Sequence, residues 1–471
     1  MDNILMTFSR LSRTLGARLI SFQDSPGGFS SVSVDSRTAV PLSLFVALAG
    51  DSRDGHAYVG AAFRAGAAAA MVAEARMGDF PLEGEARKAR GVLVVVRDTL
   101  EGFQKAAAAY LEGFPRLLRI GITGSSGKTT TKEIAAAIIS REKTVVMNRG
   151  NLNSETGLPL SVFAVRSGHE VGIFEMGMNR KGEIAELAAV LRPHIALVTN
   201  IGSAHIGILG SRGGIAQEKK AIFSRFTGNE TALIPEDDDY RDFLAEGVRG
   251  RVRFFGPKSF AEMGEPRDLG LDGAEFIWEG TRVRFGIPGR HNIKNALAAA
   301  AIAREIPVGA GAVRRGLEAV KPLFGRSEIL RGPVTVIRDC YNANPESAAG
   351  AVAFCDELEW PGRRIYVIGS MLELGDLSPE AHRGLGRILA ASRADMVFLF
   401  GAETAAAAEI LQGGARGIPF FHTGSMEVLS RAIGDFVRPG DLVLLKGSRG
   451  CALERLAEAI NPGTPAERGV V

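Results

Sequence analysis

The run Gly121-Ile122-Thr123-Gly124-Ser125-Ser126-Gly127-Lys128-Thr129-Thr130-Thr131 constrains this chain more than any other. Apolar Leu117-Leu118-Arg119-Ile120 precedes it and Lys132-Glu133-Ile134-Ala135-Ala136-Ala137-Ile138-Ile139 follows, so it reads as strand, glycine-rich turn and helix. Glycines let successive N–H groups face one concavity, and the start of a helix adds positive potential. Thr123, Gly124, Ser125, Ser126, Gly127, Lys128, Thr129 and Thr130 are therefore expected to form a phosphate loop, with Lys128 as its full charge and Thr129 placed to hold magnesium. Ile122 stands where the strict Walker pattern has glycine. An ordinary turn capped by threonines is the alternative, and the joint order of strand, Gly-x-x-Gly-Lys-Thr and helix argues against it.

A phosphate loop of this kind sits in a sheet, and the flanking sequence supplies one. Short apolar runs at 117–121, 145–147, 170–174 and 195–199 alternate with helical segments, which predicts a parallel sheet covered by helices. A second alternating series, with strands at 334–337, 364–368, 396–400, 418–421 and 442–446, predicts a further doubly wound sheet. Ahead of both, residues 32–37 and 44–48 read as strands and 58–70 as a helix. The fold class is α/β with three domains: a small α/β domain at 1–112, a central phosphate-loop domain at 113–322 and a Rossmann-like domain at 323–471. Gly113-Phe114-Pro115 and Lys321-Pro322-Leu323 mark the joins.

At 471 residues the chain is too long for one core. Its formal charge of +3 is nearly balanced and no basic run forms a stripe, so a nucleic-acid partner is not expected. Cys340, Cys355 and Cys451 are odd in number and widely spaced, which fits a reducing cytoplasm better than a disulfide framework. Arg10, Arg13 and Arg18 interrupt the first apolar residues and no run approaches about twenty apolar residues. A cytoplasmic protein without a membrane span is expected. The alanine tracts 67–70, 106–109 and 298–301 read as helix filler, and the Pro- and Gly-rich tail from Asn461 as frayed.

In open parallel sheets ligands sit at the carboxyl ends of strands. There the sequence places Glu175-Met176-Gly177 and Asn200-Ile201-Gly202-Ser203-Ala204-His205, a carboxylate and an imidazole on the edge that carries Thr129. Taken singly, Glu175 reads equally as a cap or salt bridge and as a ligand, His205 as a histidine without a ligand role, and Asp35-Ser36-Arg37 as a solvated turn. Lys219 and Lys220 read as a charge pair on a mixed helix, and Asn292 and Asn295 as neighbours on the first turn of another.

Together these motifs resemble the Mur ligases of bacterial cell-wall synthesis over nearly the whole chain, from Asp35-Ser36-Arg37 to Lys446-Gly447-Ser448-Arg449. The shared marks are Thr123-Gly124-x-x-Gly127-Lys128-Thr129-Thr130, Glu175-Met176-Gly177, Thr199-Asn200-Ile201-Gly202-x-Ala204-His205, Lys219 and Gly289-Arg290-His291-Asn292-x-x-Asn295-Ala296. Asp339-Cys340-Tyr341-Asn342-Ala343-Asn344-Pro345 and Met371-Leu372-Glu373-Leu374-Gly375 resemble the branch that adds a dipeptide.

The resemblance implies an ATP-dependent ligase that joins D-alanyl-D-alanine to UDP-N-acetylmuramoyl-tripeptide through an acyl phosphate, working as a monomer and closing its third domain around ATP. It implies two Mg2+ ions, a first on Thr129 and Glu175 and a second on His205 and a carbamylated Lys219. Lys128, Glu175, His205 and Lys219 would carry catalysis. Asn292 and Asn295 would approach the adenine, Arg326 and Asp339 the nucleotide, and Asp35, Ser36 and Arg37 the uridine. Asn151, Asn153, Thr156, Asn342 and Asn344 would complete the substrate contacts. Ser154, Ser370 and Lys220-Ala221 depart from the family pattern, which has a second asparagine, an aspartate and Gly-Glu at those places. Two further readings stay open: a ligase of the same type adding another amino acid or dipeptide, and a nucleotide-gated binding protein without catalysis.

Overall fold

The computed structural model describes residues 4–50, 53–260, 264–414 and 416–461; the tail expected to fray lies, past Asn461, outside them. The chain is α/β and forms two compact units. One comprises Met1–Gly121, Thr144–Met178 and Glu183–Pro193; the other comprises Ile122–Lys143, Asn179–Gly182 and His194–Val471.

In the first unit a five-stranded sheet runs Arg18–Ile20, Val92–Val96, Ala69–Ala73, Ser43–Val46, Ser31–Ser33. Its pairs are parallel except for the antiparallel edge strand Arg18–Ile20. The helix expected over 58–70 is shorter, because Val59–Arg64 is helical and Gly66, at φ 98°, turns the chain out of it. Ala69–Ala73 is then a strand rather than helix filler, with Ala69 to Val72 buried. Alanine's preference for helix is worth only a fraction of a kcal/mol over most residues, so burial between two parallel neighbours decides the conformation. The other two alanine tracts do lie in helices, Thr99–Leu111 and Arg290–Arg304. This unit also holds the parallel pair Val145–Met147 and Val171–Glu175.

The second unit begins inside the strand Leu118–Thr123, which feeds the glycine turn and the helix Lys128–Ile139. Ile195–Val198, Thr231–Pro235 and Arg251–Phe255 form successive parallel pairs there. A three-stranded antiparallel sheet of Arg267–Asp268, Ala274–Trp278 and Thr281–Phe285 was not expected from the sequence. Its hairpin turns at Glu279 and Gly280, both at positive φ (44° and 75°), and Val283 and Phe285 point inward while Arg282 and Arg284 point out.

The carboxyl-terminal sheet is the expected doubly wound one. Its order is Glu328–Leu330, Thr335–Asp339, Leu442–Lys446, Arg364–Gly369, Met396–Phe400, Phe420–Thr423. All pairs are parallel except the Glu328–Leu330 edge. Side chains alternate across it. Ile337, Tyr366, Ile368, Leu442 and Leu444 join a core with the helices Pro345–Glu357, Ser378–Ala391 and Ala405–Gln412. Val336, Ile365, Val367, Val443 and Leu445 join a second core with Met426–Phe436 and Leu453–Ile460. Strands buried on both faces explain why these runs are continuously apolar rather than alternating. Each fully buried Val, Leu or Ile contributes about 1.5–3 kcal/mol.

Candidate active site

The glycine loop lies in the second unit and is built around two close approaches. Gly124, at φ 149°, has Thr199 so near that a Cβ would come within 1.8 Å of its Oγ1. Gly127, at φ 76°, would place a Cβ 2.2 Å from Asn295 Oδ1. Gly127 is also the N-cap of Lys128–Ile139, and no side chain caps that helix. Helix-start amides without a side-chain cap are anion donors, and Lys128 Nζ curls back to donate to Gly124 O at 2.9 Å.

The Thr199-Asn200-Ile201-Gly202 motif braces this loop. Thr199 Oγ1 donates to Ser126 O at 2.6 Å, and Thr199 N donates to Thr123 O at 2.8 Å. Asn200 Oδ1 accepts from Ser126 N at 3.1 Å, while Asn200 O accepts from Ser125 N at 3.0 Å. Gly202 N donates to Ser125 Oγ at 2.8 Å. The residues after one strand end thus fix the loop after another, a role that sequence reading left as a family signature.

Lys219 and Lys220 end the helix Arg212–Lys220, started by Ser211, whose Oγ accepts from Gly214 N. Ile215 and Lys219 are four apart and share its inner face, so Lys219 is carried inside, 1% exposed. Lys220, one residue on and about 100° round, instead donates to Phe243 O at 2.6 Å and lies over the Phe243 ring. Burial pushes the Lys219 amine well below the ordinary lysine range, and the nearby positive charge of Lys128 adds to this against the pull of Glu218.

Asn292 and Asn295 are buried. Asn292 Nδ2 donates to Pro288 O at 2.7 Å, Asn295 Nδ2 donates to Asn292 Oδ1 at 3.0 Å, and Asn295 Oδ1 faces Gly127. The first helical turn of Arg290–Arg304 is therefore tied to the loop. Arg326 stacks over the Tyr341 ring at 4.1 Å and donates to Thr129 Oγ1 at 3.1 Å. Asp339 is engaged on both oxygens, by Ser327 N at 3.0 Å and Lys446 Nζ at 2.8 Å. Lys446 also donates to Asn342 O, and Asn344 caps Pro345–Glu357 in a capping box with Ser347. Asn344 is thus committed to the helix start rather than turned to solvent.

His205 stands at φ 64° at the start of Ile206–Leu209, and its Nδ1 lies 2.9 Å from Glu373 Oε2. His205 holds the Glu373 carboxyl below its usual range. Nearby, Ser203 Oγ donates to Glu346 Oε2 at 2.8 Å. Neither glutamate was named from the sequence, although Met371-Leu372-Glu373-Leu374-Gly375 was singled out as a motif. A strand-end position was the available signal; the partner across the fold was not.

The remaining expected residues lie in the first unit. Glu175 ends Val171–Glu175, 2% exposed, and its Oε1 accepts from Asn153 Nδ2 at 2.7 Å. Asn148 bonds both backbone groups of Glu175. Asn153 N donates to Asn151 O, and the Ser154 and Thr156 hydroxyls are 3.3 Å apart. Asp35 caps the turn Ser36–Thr38, and Arg37 grips it from Nε and Nη2, at 3.0 and 2.6 Å. That grip lowers the Asp35 carboxyl to about 2. Ser370, at the position that departs from the family pattern, lies in the second unit and donates to Glu403 Oε2 at 2.6 Å.

Among the described residues no three His, Cys, Asp or Glu side chains are grouped to hold a metal. Magnesium bound through a nucleotide takes one or two protein ligands plus phosphates and water. The uncapped helix start, Lys128 and the Thr129 hydroxyl have the chemistry for that arrangement.

Comparison with known proteins matches residues 122–303 to the Mur ligase middle domain and 325–449 to the Mur ligase glutamate ligase domain. The UDP-N-acetylmuramoyl-tripeptide--D-alanyl-D-alanine ligase of Treponema pallidum is 43% identical over 458 residues, which cover 96% of this chain and 98% of that one. A crystal structure of MurF from Acinetobacter baumannii superposes with a TM-score of 0.85 at 30% identity, covering 96% and 98% of the two chains. MurF of Thermotoga maritima, solved in complex with ADP, gives a TM-score of 0.76 at 28% identity, covering 91% and 96%. With a phosphate loop braced by its own strand-end motif, and with relatives matched over almost their full length, the chain belongs to the Mur ligase family.

Proposed function

We propose that the chain is the ATP-dependent ligase that joins D-alanyl-D-alanine to UDP-N-acetylmuramoyl-tripeptide, giving the pentapeptide with release of ADP and phosphate. The observation that carries this is the full-length relationship to ligases of that name, at 43% identity over 96% of the chain. The terminal carboxylate of the tripeptide attacks the γ-phosphorus and ADP leaves; the dipeptide amine then attacks the acyl phosphate carbon and phosphate leaves. A carboxylate is a poor electrophile until it is phosphorylated.

The chain's residues serve charge neutralisation and positioning. Lys128 and the amides after Gly127 receive the phosphates, and Asn292 and Asn295 approach the adenine. Arg326 and Asp339 meet the nucleotide from the carboxyl-terminal domain. Thr129, Glu175, His205 and Lys219 would hold two magnesium ions, which when bound supply charge neutralisation on the transferring phosphoryl group. An ammonium cannot ligate a cation, but a desolvated neutral lysine can add carbon dioxide and become a carboxylate. The buried Lys219 supports that assignment over Lys220, which is bonded elsewhere. Asp35, Ser36 and Arg37 take the uridine side, with Asn151, Asn153, Thr156 and Asn342 as further substrate contacts and Asn344 ordering the start of Pro345–Glu357.

The domains of this reading are 1–112 for the UDP substrate, 113–322 for ATP and 323–471 for closure over the nucleotide, in a cytoplasmic monomer. No helix of the described residues is long and apolar enough to cross a membrane. Mass spectrometry of the product from UDP-tripeptide, ATP and D-alanyl-D-alanine tests donor, acceptor and bond together. A pentapeptide product with one ADP per bond is expected; ATP binding without ADP release, or preference for another amine, would sink the reading.

A further inference from the structure

Two residues outside glycine hold left-handed backbone and face each other in the second unit: His205 at φ 64° and Glu373 at φ 66°. Such conformations are strained for a residue with a Cβ and persist where the surroundings over-determine them. The surroundings of Glu373 do so. Its loop follows Arg364–Gly369 and is pinned by Met371 N donating to His382 Nε2 at 3.0 Å and Leu372 N donating to Ser448 Oγ at 2.9 Å. His382 is fully buried and its Nδ1 is 2.7 Å from Ser378 O, so Nδ1 carries the proton and Nε2 is left to accept.

The other side is equally close-fitted. Gly207, two residues after His205, would place a Cβ 2.6 Å from Gly375 N, so backbone packs on backbone at this seam. The consequence is that Glu373 Oε2 stands 2.9 Å from His205 Nδ1. Nδ1 is buried, and in this arrangement it is off the line of a regular hydrogen bond, with no other hydrogen-bond partner among the described residues. A carboxylate this close to Nδ1 favours the tautomer with the proton there, which leaves Nε2 as the bare nitrogen, the form in which imidazole ligates a metal.

We propose that Glu373 is a positioning residue for the ligase reaction, contributed by the carboxyl-terminal sheet, which sets the tautomer and ring direction of His205 through the Nδ1–Oε2 contact. The inference rests on the reading of His205 as a metal ligand. It assigns to the Met371-Leu372-Glu373-Leu374-Gly375 loop a task in the site, and it makes that task dependent on the carboxyl-terminal part being docked. His382 and Ser448 act one step further out, by holding the loop that presents Glu373.

The test is Mn2+ binding to the full chain with a nonhydrolysable ATP analogue, followed by electron paramagnetic resonance, beside kcat and KM for each variant. Glu373→Ala is expected to weaken Mn2+ roughly tenfold, the lower end for loss of a ligand's outer partner. Glu373→Asp, which withdraws the carboxylate, should resemble it, while Glu373→Gln, which keeps an acceptor in place, should restore affinity to within about threefold. In a His205→Ala background Glu373→Ala should change nothing more. Wild-type Mn2+ affinity in both Glu373→Ala and Glu373→Asp overturns the proposal, as does an equal loss with and without His205. If His205→Ala alone leaves Mn2+ binding unchanged, it is the metal reading of His205 that fails.

Discussion

The guanidinium of Arg326 donates to the hydroxyl of Thr129 across 3.1 Å, joining residues 197 apart in sequence at the mouth of the phosphate loop. The guanidinium carbon of Arg326 also sits over the Tyr341 ring, 4.1 Å from its centroid, so its direction is set by that ring as well as by charge. On the proposed reading, this is the cation that the carboxyl-terminal part brings to the nucleotide.

Removing that group therefore has a defined cost. A hydrogen bond to a charged group is worth about 1.5–3 kcal/mol, so Arg326→Ala should raise KM for ATP by roughly ten- to a hundredfold in a coupled ADP-release assay. Arg326→Lys should recover little, because a lysine has no planar fork to stack on Tyr341. An ATP KM within twofold of wild type in Arg326→Ala would remove the nucleotide role.

The loop glycines are conformational requirements as well as contacts. Gly124→Ala forces a Cβ to 1.8 Å from Thr199 Oγ1 at φ 149°. It should lower Tm and abolish the stabilisation that an ATP analogue is expected to give the wild type in differential scanning fluorimetry. Thr199→Ala removes the obstructing hydroxyl but also the bond to Ser126 O, so the double variant should regain Tm in part and binding hardly at all.

The two adjacent lysines should part company. Lys219→Ala is expected to lower turnover by roughly a thousandfold or more, as loss of a metal ligand would, with partial recovery on adding short carboxylates. Lys220→Ala should stay within about threefold of wild type, since its ammonium serves Phe243 O. Because burial lets Lys219 lose its proton far below the ordinary lysine range, wild-type rates should rise with added bicarbonate near neutral pH. Wild-type turnover in Lys219→Ala would discard the carbamate.

Asp35 and Arg37 offer a pH test. The folded carboxyl titrates near 2, below its unfolded value, so the contribution of the pair is complete above the ordinary carboxylate range and disappears as pH falls from there through about 2. Carboxyl-carbon NMR should show Asp35 charged at pH 3 in the wild type and returned to the ordinary range in Arg37→Ala. An unchanged titration in the variant would mean that Arg37 is not the cause.

The local sequence carried the loop, the parallel strands and the doubly wound carboxyl-terminal sheet, because apolar runs, glycine turns and helix starts are short-range signals. It misjudged Ala69–Ala73, where composition favours helix and only the neighbouring strands make a strand the lower-energy choice. The hairpin at Glu279-Gly280 escaped because its turn lacks the usual Asn-Gly or Asp-Gly.

Residue identity and spacing by themselves pointed to a glycine loop of phosphate-binding type at a helix start, and determined which residue types stand at each strand end. Which of those residues meet was decided by tertiary structure alone. Helical phase sent Lys219 inward and Lys220 out; strand order laid Thr199 and Asn200 over the glycine loop. Backbone packing of Gly207 on Gly375 brought Glu373 to His205, and stacking on Tyr341 aimed Arg326 at Thr129. The last three outcomes depend on distances between segments far apart in the chain, which close packing fixes and a linear pattern does not contain.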